Sequence, residues 1–291
     1  MPPSLEALRF NEETSSEIVA ARLTRDGSRA GAFLALFVRH LHEAVREARP
    51  TQADWREAMR FLTEVGHASD ERRQEWILLS DLLGITALVE DINTQRPKGA
   101  TPNTPRGPFY RASAPRYAAG ASISLDGIGE ALSVTGTVRD LDGQPVAGAS
   151  VETWQANADG HYENQNPDRQ PDFNLRGTFA TDADGRFAYR TVKPAGYGVP
   201  EDGPVGRLLA SMGCPLTRPA HLHFIIRADG FDTLTTHVYD RDDPHVLEDA
   251  LFGVREELLG DFRRRKGRNG HAAWDLDFTF TMARSRPRRR A

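Results

Sequence analysis

The chain has 291 residues, of which 39% are hydrophobic and 27% charged, and its formal net charge is -4. This is the composition of a folded globular protein long enough for two modest domains, with no general attraction to nucleic acid or to an anionic membrane. A single cysteine, Cys214, excludes an internal disulfide, and no apolar run or basic-then-apolar N-terminus suggests a membrane span or signal peptide, so the expected location is the cytoplasm.

In chain order, the first third reads as helical. Phe33, Leu34, Phe37, Leu41 and Val45 recur at steps of three and four, which predicts one helix with a buried apolar stripe. Pro50 ends it. Thr51 with Asp54 resembles a capping box that opens the next helix, which carries Trp55, Met59 and Leu62. A further helix is expected from about 70 to 93. Its centre, residues 76–83, is apolar on nearly every side and is expected to be largely buried. Asp81 stands in that run. Burying an unpaired carboxylate costs roughly several kcal/mol, so either Asp81 faces a cavity with a polar ligand, or it lies on an exposed strip or meets an arginine.

Residues 94–115, rich in proline, glycine, threonine and arginine, read as a linker or extended wrap. Beyond them the period becomes two. Strands are expected at 133–138, 149–154, 186–192, 220–227, 233–239 and 274–281, with Asp-Gly turns at Asp142-Gly143 and Asp184-Gly185. The predicted fold class is α+β: an N-terminal helical domain, 1–105, followed by an antiparallel β-sandwich domain, 106–283. The arginine-rich tail, 284–291, is read as a solvated terminus.

The chemistry concentrates in Arg218-Pro219-Ala220-His221-Leu222-His223-Phe224. On a strand, His221 and His223 share one face while Leu222, Phe224 and Ile226 point to the other, which suits a core. Two imidazoles on a buried face point to a metal. Alone, the pair could serve zinc, copper or iron. Tyr162 and Tyr197 lie in polar, glycine- and proline-rich loops where a tyrosine is more often a surface anchor than a ligand. Taken with the histidines they make chemical sense, because two phenolates and a hydroxide balance the charge of Fe(III), which favours hard oxygen donors. A zinc hydrolase built on the two histidines lacks an H-E-x-x-H or comparable carboxylate.

Several stretches in order resemble the intradiol ring-cleavage dioxygenases: residues 136–162, Asp182-Ala183-Asp184-Gly185-Arg186-Phe187, Tyr197-Gly198-Val199-Pro200 and the His221/His223 element. Leu79-Ser80-Asp81-Leu82-Leu83-Gly84 and Gly107-Pro108-Phe109-Tyr110 resemble the catechol and hydroxyquinol 1,2-dioxygenase branch, most closely its hydroxyquinol enzymes. The likeness spans most of residues 15–282. It implies Fe(III) held by Tyr162, Tyr197, His221 and His223, with Tyr197 leaving the metal when an aromatic 1,2-diol binds. It implies catalytic roles for Tyr197 and Arg218, with Arg218 beside the ring. Leu78, Asp81, Gly107, Pro108, Phe109, Val199 and Pro200 are implied as further substrate contacts. His237 falls just outside the ligand set, at a position that is glutamine in many catechol enzymes and often histidine in hydroxyquinol ones. His161, His245 and His271 match nothing and are read as surface residues.

The implied reaction uses O2 to open the ring between its hydroxyl-bearing carbons. Asp81, His237 and Asp202-Gly203-Pro204-Val205-Gly206 lean toward hydroxyquinol, giving maleylacetate. Catechol, chlorocatechol or another substituted catechol, giving a muconate, is the alternative. The sandwich pattern from Gly136 onward also occurs in non-catalytic binding modules. The resemblance further implies a homodimer through the N-terminal helices, an interface where related enzymes hold a lipid-like molecule. Three departures stand out: Pro105-Arg106 before Gly107, Gly198 after Tyr197, and no tryptophan in Cys214-Pro215-Leu216-Thr217. Arg106 either meets an anionic ring substituent or faces solvent, and Gly198 is expected to widen the pocket and loosen Tyr197.

Overall fold

The computed structural model describes residues 10–70, 73–267 and 272–285. The chain divides into two compact units, Met1–Glu64 and Val65–Ala291. Composition puts a boundary near residue 105, whereas compactness puts it within the last turn of α3.

The first unit holds α1 (Ser15–Leu23), α2 (Arg29–Ala48) and most of α3 (Gln52–His67). The Ser28 hydroxyl accepts from the Gly31 amide and caps α2. The capping box at α3 is present, with Thr51 N donating to Asp54 Oδ2 at 2.8 Å and Asp54 N to Thr51 Oγ1 at 3.2 Å. The apolar stripe of α2 forms, but it is exposed rather than buried: Phe33 is 70% accessible and Phe37 53%. The reason is that α1 meets the polar side of α2, where Ser16 contacts His42 and Arg46 donates to Glu12. Periodicity shows which residues share a face, not what covers it.

The second unit opens with α4 (Glu75–Leu82) and α5 (Ile85–Asn93). These replace the single helix expected across 70–93. Gly84 takes a left-handed conformation, φ 70°, which interrupts the helix at little cost for a glycine. The expected burial of 76–83 is also corrected. Glu75 and Leu82 are buried, but Trp76, Ile77 and Leu83 are about half exposed, so the apolar run is covered on one side only. Residues 94–130 run as an extended wrap, donating from Thr101 to Thr281, from Thr104 to Thr235 and from Tyr117 to Thr178.

The strands are β1 (Ala131–Asp140), β2 (Ser150–Gln155), β3 (Arg176–Ala180), β4 (Arg186–Val192), β5 (Tyr197–Gly198), β6 (Thr217–Arg218), β7 (His221–Arg227), β8 (Leu234–Asp240), β9 (Leu259–Gly260), β10 (Arg263–Lys266) and β11 (Ala272–Met282), with α6 at Pro204–Ser211. They form a sandwich of two sheets, ordered β10-β11-β1-β4 and β3-β2-β7-β8-β9, plus the small β5-β6 ladder. Pairing is mostly antiparallel, as expected, with parallel pairs at β1–β11 and β8–β9. Leu132, Val134 and Phe187 from one sheet and Val151, Leu222, Phe224 and Ile226 from the other fill the core. That packing turns the odd-numbered residues of β7, including both histidines, to the opposite face.

Candidate metal centre

On that opposite face, cross-strand register sets two rows of rings. Trp154, His223 and His237 stand side by side across β2, β7 and β8, and His221 stands opposite Tyr239. All are buried. One ring nitrogen from each of His221, His223 and His237 lies within 4.8 Å of the others. The Pro219 carbonyl is 2.6 Å from His221 Nδ1. A carbonyl only accepts, so Nδ1 carries the proton and Nε2 offers a lone pair. Tyr162, in the loop after β2, puts its hydroxyl 2.6 Å from His223 Nε2 and 3.4 Å from His221 Nε2. Tyr197 in β5 brings its ring within 5.7 Å of that of Tyr162 and 5.6 Å of that of His221.

Electrostatics suit a cation. Burial, aided by the charge of Arg218, pushes His221 down to about 3. Burial and the neighbouring rings take His223 and His237 well below the ordinary histidine range. The imidazoles are therefore neutral and free to donate lone pairs. Burial pushes the Tyr162 phenol well up, so a phenolate there needs a strong local positive charge. The buried atoms His223 Nδ1 and His237 Nε2 have no hydrogen-bond partner. Neutral nitrogens and ionisable phenols converging on one dry point fit a trivalent iron.

The two histidines are oriented differently. His221 has the backbone carbonyl behind it. His223 has no such hydrogen bond; its ring lies parallel to Trp154, centroids 4.6 Å apart at 14°, with His237 on the other side at 4.2 Å. The Thr104 hydroxyl holds His237 Nδ1.

Arg218 is buried, with Nε donating to Asp249 Oδ1 at 3.0 Å and Nη2 to the Tyr239 hydroxyl at 2.8 Å. Asp81 on α4 is half-buried. Burial raises its pKa, while a hydrogen bond from Thr86 and the charge of Arg218 act against that rise. Asp81 thus lies within electrostatic reach of Arg218. Leu78 sits one turn before it. Gly107 borders the site: a Cβ there would stand 3.6 Å from His223 Cε1. Phe109 stacks on Tyr162 at 4.5 Å, and Val199 is buried.

Other expected residues lie further out. Pro108, Pro200 and Gly198 are exposed, and a Cβ on Gly198 would meet open space. Arg106 is exposed with its guanidinium 4.5 Å over the Tyr110 ring, which supports its solvent-facing reading. His161 is exposed and His245 pairs with Asp243, while His271 lies outside the described residues. Sequence reasoning missed Trp154, Thr104, Tyr239 and Asp249. Tyr239 was findable, because it follows His237 by two on a strand and so shares its face. Asp249, in an irregular segment, left no periodic signal.

This sandwich, with phenols and imidazoles meeting near the buried Arg218, is the framework of an aromatic ring-cleaving oxygenase. Residues 106–283 match the family described as Dioxygenase, and residues 28–101 that described as Catechol dioxygenase N terminus. The chain is 50% identical to the hydroxyquinol 1,2-dioxygenase of Rhizobium sp. (strain MTP-10005), over 94% of this chain and 96% of that protein. It is 43% identical to the 6-chlorohydroxyquinol 1,2-dioxygenase of Cupriavidus pinatubonensis, over 94% and 98%. The crystal structure of hydroxyquinol 1,2-dioxygenase from Pseudomonas putida DLL-E4 superposes with a TM-score of 0.89 at 36% identity, covering 94% of this chain and 99% of that one. The chain belongs to the intradiol ring-cleavage dioxygenases, in the catechol and hydroxyquinol branch, and is an oxidoreductase.

Proposed function

We propose that the enzyme cleaves hydroxyquinol (1,2,4-trihydroxybenzene) with O2 to maleylacetate, using Fe(III) held by Tyr162, Tyr197, His221 and His223. The observation that carries the substrate choice is Asp81, a half-buried carboxylate within electrostatic reach of Arg218. Relatives named for hydroxyquinol and 6-chlorohydroxyquinol support it.

Bound ferric ion supplies a chelation point for both diol oxygens and makes the ring reactive toward O2. The protein's own groups do the rest. Tyr197, half-buried beside Tyr162, takes up one diol proton as a general base. Arg218, fixed by Asp249 and Tyr239, faces negative charge that develops on the ring. Asp81 accepts a hydrogen bond from the third hydroxyl. Phe109, Leu78 and Val199 cover the apolar faces of the ring, with Gly107 leaving room near His223, and Pro108 and Pro200 lie at the mouth. His237 stands behind the ligands, turned by Thr104.

A dimer through the exposed stripe of α2, enclosing a lipid-like molecule, and a cytoplasmic location suited to the exposed thiol of Cys214 complete the reading. The test is turnover of hydroxyquinol, catechol, chlorocatechols and pyrogallol by iron-loaded enzyme. Hydroxyquinol should be preferred, and Asp81→Ala should lose that preference by about 1–3 kcal/mol. A faster catechol rate, unchanged by Asp81→Ala, would move the substrate to the catechols. Tyr162→Phe should lose part of the visible phenolate-to-iron absorption, the Tyr197 part remaining; an unaltered spectrum at full iron content would remove Tyr162 from the ligand set.

A further inference from the structure

We propose that Glu75 is a positioning residue for substrate specificity, a buried latch that joins the helix carrying Asp81 to the segment that follows Tyr197. This rests on the substrate reading above and names what holds its two walls together. Glu75 is the first residue of α4 and is fully buried. Its Oε1 accepts from the Val205 amide at the start of α6 at 3.1 Å, and its Oε2 from Arg73 Nε at 2.8 Å. Arg73 in turn donates from both terminal nitrogens to Asp202, at 2.8 and 3.0 Å. One carboxylate therefore caps a helix that is distant in sequence, and one guanidinium bridges both sides.

The latch accounts for each residue of Asp202-Gly203-Pro204-Val205-Gly206. Asp202 is the outer arm. A Cβ on Gly203 would stand 2.2 Å from both Glu75 Oε1 and Arg73 Nη2, so a larger residue there would push the pair aside. Pro204 starts α6, where its missing N–H costs nothing. Val205, fully buried, supplies the N–H. A Cβ on Gly206 would lie 2.3 Å from the Pro200 carbonyl, so the helix packs directly on the end of the Tyr197 segment. On the other side Leu78 and Asp81 follow Glu75 by one and nearly two turns of the same helix. A rigid joint at Glu75 fixes the separation between Asp81 and the Val199–Pro200 wall, and with it the room for a third ring hydroxyl.

The test compares iron-loaded wild type, Glu75→Gln and Glu75→Ala. Glu75→Ala should raise the hydroxyquinol KM about tenfold and reduce the preference over catechol by a similar factor. Its kcat, iron content and visible phenolate band should stay near wild type, while amide exchange quickens at Val205 and along α4. Glu75→Gln, which keeps an acceptor for the Val205 N–H, should fall in between. If Glu75→Ala does not fold, Glu75→Gln and Arg73→Ala make the same comparison. Faster exchange with unchanged KM and preference would overturn the proposal, leaving Glu75 a fold contact only; unchanged exchange would overturn the latch itself. A wild type that prefers catechol defeats the hydroxyquinol reading separately, and a raised catechol KM in Glu75→Gln would still support the latch.

Discussion

Tyr197 and Arg218 are register partners in the two-strand β5-β6 ladder, so the loop phenol and the buried guanidinium are set by one piece of backbone. Directly opposed residues of an antiparallel pair project to the same side. The Val199 amide donating to Leu216 at 2.7 Å continues the ladder toward the pocket wall. This explains how a tyrosine outside the regular sheets comes to stand beside the histidines.

Arg218→Lys tests the use made of that arrangement. A lysine keeps the charge but cannot reproduce the fork that meets Asp249 and Tyr239 together. Iron content and the visible band should be retained, and kcat should fall by about 10²–10³-fold, as for loss of a preorganised group facing transition-state charge. A change confined to KM would instead assign Arg218 to ground-state binding.

Trp154 is expected to govern metal retention. A metal-bound histidine is ordinarily steadied by a hydrogen bond on its other nitrogen. His223 Nδ1 has none, so the flat contact with Trp154 takes its place. Trp154→Leu should release iron to a chelator about 10–100-fold faster than wild type, and Trp154→Phe, which keeps a flat ring, much less so. Equal release rates in all three proteins would show that stacking does not hold the ring.

The fold was legible wherever residues alternate or recur over several turns. β4 has the expected limits, and β1, β2, β7, β8 and β11 lie within a few residues of theirs. β5, β6 and β9 are two residues each, too short to show a period, and β10 is an all-charged edge strand, Arg263–Lys266, with no apolar side. α6 has a local start signal in Pro204, but its side-chain cap is remote: Glu75 supplies it from another helix. Within the site, Tyr162, Tyr197, His221 and His223 come together from three separate stretches of sequence. Trp154 and Asp249 stayed hidden because cross-strand stacking and loop-borne ion pairs depend on register, which no single stretch encodes.

Acid should weaken the protein partly through Asp249. Burial alone would raise its pKa, but the charge and hydrogen bonds of Arg218 outweigh that and hold the carboxyl below the ordinary range. A folded-state pKa below the unfolded one means stability that is present above the ordinary carboxylate value and lost as pH falls through the lowered one. Asp249→Asn leaves Arg218 buried without its counter-charge, at a cost of about 3–5 kcal/mol near neutrality. Thermal unfolding across pH should show the gap between wild type and Asp249→Asn narrowing toward acid. A gap independent of pH would mean that the ionised pair does not stabilise the fold.

The exposed stripe of α2 is expected to be a contact between copies of the chain. Phe33, Leu34, Phe37, Leu41 and Val45 project from one face and are between 44% and 70% accessible. Burying each such side chain is worth about 1.5–3 kcal/mol, and a contiguous apolar face of this kind marks an association or ligand surface. In light scattering the wild type should run as a dimer. Phe37→Glu, which sets a charge in the middle of the stripe, should run as a monomer, with its visible phenolate band unchanged because the substitution lies outside the metal site. Organic extraction should recover a lipid from the wild type and none from Phe37→Glu. A monomeric wild type with no extractable lipid would leave the stripe without either occupant and discard the dimer.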